Sequence, residues 1–166
     1  MRVFDKVGRN VSTFSLGVAF LVLSGCGGDK VDALYSEAYG SNIKTLSNLY
    51  CMYQGRHRQV GPKDEADLKK FIAELPVEYL EKIGVDPSEI DGLFLSDRDG
   101  QPFKVRWRLR FEIPQDPLPI VFESEGVDGK CQVGFSSFVV KEVGRQEYDE
   151  LWTMKAKKKS NARGAR

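Results

Sequence analysis

The hydrophobic period of this chain changes between its two halves, and this change restricts the fold more than any other feature. From about residue 31 to residue 57, apolar side chains recur at steps of three and four, which predicts an amphipathic helix. From Lys104 to Phe111, basic and apolar residues alternate strictly, which is typical of a strand with one buried face. We therefore predict an α+β fold, in which a long N-terminal helix packs on a small antiparallel sheet of about four strands.

Residues that break or cap helices set the boundaries of the other predicted elements. Gly40-Ser41-Asn42 weakens the middle of the first helix. Asp64 is the predicted N-cap of a second helix, which Pro76 interrupts before one or two further turns. More strands are expected at 120–122, 131–135 and 138–143, followed by a short helix at 146–152. Short connections favour antiparallel pairing, and we expect Trp107 to be buried between the sheet and the long helix.

Two segments of the second half resemble the pseudopilin-like head. Residues 96–105, SDRDGQPFKV, are similar to the acid-rich turn, Gly, Pro and aromatic that open the sheet of G-type pseudopilins. Residues 134–142 resemble the closing hairpin of related small bacterial lipoproteins. The resemblance covers about residues 31–152 and implies a pilin-like head. The chain departs from pseudopilins at its N-terminus, where another type of segment replaces their long apolar assembly helix.

That N-terminal segment has the pattern of a signal peptide. A basic stretch precedes Val11 to Leu23, whose 13 mostly apolar residues are fewer than the ~20 that span a bilayer. The run ends in Leu23-Ser24-Gly25-Cys26, which resembles the lipobox of bacterial lipoproteins. The resemblance implies a diacylglyceryl group on Cys26, which becomes the first mature residue. Two or more acyl chains make a stable anchor, so we expect a lipid-anchored, extracytoplasmic protein.

The sequence divides into a signal peptide (1–25), a lipidated tether (26–30), one α+β domain (31–154) and a basic tail (155–166). Gly27 stands where an Asp would favour retention at the inner membrane, so the outer membrane is expected if the cell has two. The tail has six basic residues, no acidic one and no large apolar one, which predicts disorder. It either attracts an anionic lipid or envelope polymer, or only solubilises the chain. Nucleic acid is not an expected partner of an exported lipoprotein.

Two cysteines remain in the mature domain. An exported location permits a disulfide between Cys51 and Cys131, whereas the helical pattern around Cys51 equally fits a small buried side chain. His57 is the only histidine, so no zinc-ligand spacing exists, and we expect neither a metal nor a cofactor. Arg56-His57-Arg58 is interpreted as the basic C-terminal end of the long helix.

The predicted alternating strand carries one candidate anion-binding face, formed by its basic residues Lys104, Arg106, Arg108 and Arg110. Alternate residues of a strand share a face, so these side chains are suited to clamping phosphate or carboxylate groups. The alternative is a solvated face that Glu123 or Glu142 neutralises from neighbouring strands.

No catalytic residue is predicted, because no nucleophile–base pair is evident. We expect a non-enzymatic binding or structural role toward an unknown envelope protein or polymer. The alternative is an enzyme or accessory factor acting on an envelope polymer, with Asp97, Asp99, Glu123 or Glu125 as acid–base groups.

Overall fold

The computed structural model describes residues 38–111 and 117–154. The predicted signal peptide, the lipidation site, the tether and the basic tail lie outside these ranges. The described elements are α1 (Asn42–Arg56), α2 (Glu65–Ala73), α3 (Val77–Lys82), a 3-10 helix (Ile90–Phe94), β1 (Lys104–Val105), β2 (Pro119–Phe122), β3 (Lys130–Phe135), β4 (Val140–Gly144) and α4 (Arg145–Thr153). The strands form one antiparallel sheet in the order β1-β2-β3-β4, which confirms the α+β class and a four-stranded sheet.

The predicted weak point at Gly40-Ser41-Asn42 is a break in the helical stretch, and Ala38 and Tyr39 before it are helical. Gly40 and Ser41 form a bend, and α1 starts immediately after it, because Asp97 Oδ2 accepts a hydrogen bond of 2.6 Å from the N–H of Asn42. A carboxylate at this position satisfies a free donor of the first turn and favours the positive end of the helix dipole. The part of the predicted helix before residue 38 lies outside the described residues.

The core forms where α1 crosses the central strands β2 and β3. Along α1 the buried side chains are Ile43, Leu46, Leu49, Tyr50 and Tyr53. They pack against α2 and against Ile120 and Val121 of β2. This is a continuous apolar core between helices and one face of the sheet.

Helix α2 follows its sequence signals closely. The Asp64 side chain accepts a hydrogen bond of 3.0 Å from the N–H of Asp67, which confirms the predicted N-cap. Leu68 and Ile72 are fully buried. Pro76 separates α2 from α3, as predicted.

The strand predicted for residues 104–111 ends at Val105, and this prediction is therefore wrong beyond that residue. The reason is Tyr50 of α1, whose hydroxyl donates to the carbonyl of Arg106 (2.8 Å) and accepts from the N–H of Leu109 (3.3 Å). Arg108 makes the turn with a φ of 59°. The chain then leaves β2 and pairs with the segment that follows α1, through Gly61 N–H to Leu109 C=O (2.7 Å) and an antiparallel bridge between Val60 and Arg110.

The apolar residues of the predicted strand still face the helices, although the strand itself stops. Trp107, Leu109 and Phe111 are half-buried against the core. Trp107 therefore packs against the core that α1 helps to form, but it does so from the turn after β1 and not from a strand. Its ring lies near that of Tyr50, with 6.4 Å between centroids.

Nowhere in the two described ranges does a helix combine the length and apolar character needed to cross a membrane.

Candidate functional site

The four basic residues of the predicted anion-binding face do not share one face of a strand. Lys104 is exposed on β1, but Arg106 is half-buried and its guanidinium donates to the carbonyls of Pro119 (3.3 Å) and Met154. Burial lowers the pKa of Arg106. Arg106 thus connects β1, β2 and the end of α4, and only Arg108 and Arg110 remain exposed in the stretch after β1.

Arg108 and Arg110 lie instead beside the segment that follows α1. The Arg108 N–H donates to the carbonyl of Pro62 (2.9 Å), and its Nε to that of Lys63 (3.4 Å). The two paired segments carry five exposed basic side chains, which we call the basic ladder: Arg56, Arg58, Lys63, Arg108 and Arg110. Sequence analysis recognised the charges of each segment but not their pairing, because only the fold brings residues 56–63 beside residues 108–111.

Within residues 38–111 and 117–154, few acidic groups pair with this basic ladder. Among the described residues, its one ion pair is between Lys63 and Asp64, at 3.9 Å and with both side chains largely exposed. Arg56 lies over the ring of Phe71, 5.4 Å from the centroid. The nearby Asp67 accepts from the Lys63 N–H (2.8 Å) and from the Tyr53 hydroxyl (2.7 Å) through the same carboxylate oxygen.

The backbone of the basic ladder is unusual. Arg58, Gln59 and Arg108 have φ angles of 54°, 66° and 59°, in the left-handed region that favours glycine. Arg58 and Gln59 close the end of α1, where the Gln59 N–H donates to the Gln54 carbonyl (2.9 Å). A non-glycine residue in this conformation costs roughly 1–2 kcal/mol.

The acidic residues considered for catalysis hold the fold together. Asp97 accepts from the first turn of α1. Asp99 accepts from the N–H groups of Gln101 and Gly126, each at 2.9 Å. Burial opposes ionisation of Asp99, but these two donors outweigh it and lower its pKa. Glu125 is exposed and lies on the loop between β2 and β3.

Glu123 is buried, with 1% of its surface exposed, and its carboxylate has three partners. Oε1 accepts from the Ser96 hydroxyl (3.0 Å), and Oε2 accepts from the Gln132 N–H (2.6 Å). Arg98 Nη1 lies 3.6 Å from Oε2, and the same nitrogen donates to Glu142 at 2.9 Å. Arg98 therefore balances the charge of Glu123, and Arg98 and Lys130 (3.5 Å) together balance that of Glu142. In the described residues neither carboxylate pairs with the stretch from Lys104 to Arg110, which corrects the proposed neutralisation.

Sequence reasoning missed the role of Arg98. The turn that contains it was recognised from its acidic residues and glycine, but its partners lie on β4 and immediately after β2. No local pattern indicates a contact across 44 residues.

Cys51 and Cys131 are free thiols in this structure. Cys51 Sγ lies 3.7 Å from the carbonyl of Ser136, just after β3, whereas Cys131 is near the start of β3 and its Sγ lies 3.3 Å from the carbonyl of Glu125. The two thiols thus lie toward opposite ends of a strand that rises ~3.3 Å per residue. Burial raises the pKa of Cys51 to about 12 and also raises that of Cys131.

His57 belongs to an aromatic cluster. Its ring stacks on Tyr53 with 3.8 Å between centroids, and Nδ1 lies 2.8 Å from the Tyr53 carbonyl oxygen. Across the described part of the chain, no group of three or more His, Cys, Asp or Glu side chains is placed to hold a metal ion.

Comparison with protein-family models, curated proteins and solved structures gave no match to this chain.

Proposed function

We propose that this protein is a membrane-anchored bacterial envelope lipoprotein with a non-enzymatic binding or structural role. The anchor is a lipid on Cys26, and the folded part is a binding head held outside the cytoplasm. The support for the anchor is the basic start, the short apolar run and the lipobox-like sequence before Cys26.

One observation supports binding rather than catalysis most directly. Asp97, Asp99 and Glu123 each accept hydrogen bonds that connect separate parts of the fold. A general acid or base must exchange its proton with a substrate, whereas these carboxylates are engaged by backbone N–H groups, a hydroxyl or an arginine. The half-buried Cys51 and the buried Cys131 both have raised pKa values and are poor nucleophiles for the same chemistry.

We further propose that the head is pilin-like, with lipid in place of the apolar assembly helix of pseudopilins. Support comes from α1 lying across β2 and β3, and from the acid-rich loop 96–103 leading directly into β1. Filament assembly is not part of the proposal, because the segment that pseudopilins use for it is replaced.

The anchoring is tested by expressing the full chain in a bacterium that processes lipoproteins. Mass spectrometry of the N-terminal peptide should show a mature chain that begins at acylated Cys26, and the protein should fractionate with membranes. Cys26→Ser should leave an unprocessed, non-acylated precursor. Cys51→Ser, the same substitution at a half-buried thiol of the folded part, should leave processing unchanged. A soluble, non-acylated protein with another N-terminus would refute the proposal.

A further inference from the structure

We propose that the basic ladder binds a linear anionic polymer that carries phosphate or carboxylate groups. The contact requires the paired segments 56–63 and 108–110, which no single stretch of sequence supplies. The choice of a polymer over the anchoring membrane rests on the proposed function, because it uses the position of the lipid at Cys26.

The first argument is charge segregation. Residues 26–154 carry a net charge of −7, yet five exposed basic side chains gather on two adjacent segments. Within the described ranges, no carboxylate lies within ion-pair distance of Arg56, Arg58, Arg108 or Arg110. A positive surface on an acidic body attracts an anionic partner and fixes where that partner docks.

Two arginines of the basic ladder lie at strained backbone positions. Elsewhere in the described residues, glycine occupies four left-handed positions, Gly84, Gly100, Gly126 and Gly129, and Asp128 and Phe138 occupy two more. In the basic ladder, arginine occupies two such positions, Arg58 and Arg108, although glycine would fit without strain. Residues held in strained conformations concentrate at functional sites, and this favours a role for the side chains of Arg58 and Arg108.

The third argument is the chemistry of the side chains. Four of the five basic residues are arginines, whose planar guanidinium groups bind carboxylate or phosphate through two parallel hydrogen bonds. Arg108 lies in the turn after β1 and Arg110 at the bridge with Val60, so both flank the segment that follows α1. Several such groups along paired segments suit a ligand with repeated charges better than one with a single charge.

The fourth argument favours a polymer over the membrane that holds the anchor. The chain from Cys26 enters α1 at Asn42, whereas the basic ladder begins at Arg56, the other end of the helix. Helix α1 has 15 residues and is therefore about 22 Å long. The basic ladder also contains none of the exposed large apolar side chains of the described chain, which are Val77, Leu95, Phe138, Val139, Trp152 and Met154. A surface that inserts into a membrane interface combines basic with apolar residues.

The test uses the full chain and measures binding to two probes, inorganic polyphosphate and polygalacturonate, by titration calorimetry. Each basic residue near an anionic surface contributes a factor of about five. Arg108→Gln/Arg110→Gln should therefore weaken binding by about 25-fold. The control pair Lys130→Gln/Lys141→Gln makes the same charge change on β3 and β4, outside the basic ladder, and should alter affinity by less than about twofold.

A second variant separates binding from folding. Arg58→Gly removes a charge but relieves the left-handed strain, so we expect weaker binding by about fivefold with a Tm that is unchanged or raised by about 2–4 °C. Arg58→Lys should retain most of the binding. A purely structural arginine would give the opposite pattern, with affinity unaffected.

The tail is tested by repeating these measurements without residues 155–166. The difference between basic-ladder and control variants should persist in the shortened chain. The proposal is overturned if both double variants bind equally, if binding disappears with the tail alone, or if phosphatidylglycerol vesicles bind through the basic ladder and neither polymer does. Failure of Cys26 acylation would be detected separately in the fractionation experiment, and would leave the polymer affinities unchanged.

Discussion

Gly134 of β3 lies against Ser47 of α1 so closely that a Cβ on Gly134 would be 2.1 Å from the Ser47 Oγ. That oxygen is itself fixed, because the Ser47 hydroxyl donates to the carbonyl of Ile43 (2.7 Å). Two small residues thus set the distance between the long helix and the sheet. The contact supports α1 at the depth that places Tyr50 on the turn after β1.

Gly134→Ala should therefore destabilise the fold by about 1–3 kcal/mol, the range for overpacking a dense core. Urea denaturation measures this change in the free energy of unfolding. The matched control is Gly144→Ala, because Gly144 has a φ of −77° and its Cβ would meet nothing within 4 Å. Equal effects of the two substitutions would show that the close approach does not determine the packing.

Arg98→Met should destabilise the protein by about 1–3 kcal/mol, because it leaves the buried Glu123 carboxylate without its cation. The double variant Arg98→Met/Glu123→Gln removes both charges and should recover part of that loss in a double-mutant cycle. Arg145→Met, which breaks the exposed pair with Asp149, should cost less than about 1 kcal/mol. Additive effects of the Arg98 and Glu123 substitutions would contradict the coupling.

The reactivity of the Cys51 and Cys131 thiols tests whether the two cysteines are free or joined in a disulfide. In the Cys51→Ser background, Cys131 should react slowly with a thiol reagent at pH 8 while folded and rapidly in denaturant, because burial protects it. In the parent chain unfolded without a reductant, the thiols of both Cys51 and Cys131 should react with the reagent. If neither thiol reacted, the two cysteines would be joined in a disulfide.

Much of the fold could be predicted because its signals are local. The Asp64 N-cap, the break at Pro76 and the strands β2 and β3 each follow from a few neighbouring residues. The end of β1 could not be predicted in this way. It is determined by the hydroxyl of Tyr50, 56 residues from the Arg106 carbonyl that it binds.

The candidate site was predictable only in part, because it too depends on contacts between residues that are far apart in the sequence. Alternation correctly identified Arg108 and Arg110 as exposed cations, but it also assigned Arg106 to their face. The Arg106 guanidinium instead donates hydrogen bonds to the carbonyls of Pro119 and Met154, and the second of these depends on where α4 ends. The charges at Arg56 and Arg58 were explained by the helix dipole alone, and their proximity to Arg108 became apparent only in the folded chain.

Asp67 gives a prediction of pH dependence. The Lys63 N–H and the Tyr53 hydroxyl donate to its carboxylate and lower the pKa of Asp67 below its value in the unfolded chain, about 3.9. A carboxylate with a lowered folded pKa stabilises the protein above the unfolded pKa, and this stabilisation is lost as the pH falls through the folded pKa. Asp67→Asn should therefore reduce the free energy of unfolding at pH 7, and its difference from the parent should shrink steadily below about pH 4. Tyr53→Phe removes one donor and should reduce the same acid-sensitive contribution. Denaturant titrations of the parent, Asp67→Asn and Tyr53→Phe proteins at pH 7, 5, 3 and 2 measure the free energy of unfolding of each. If the difference between the parent and Asp67→Asn stayed constant over this range, these donors would not hold the Asp67 carboxylate in its charged form.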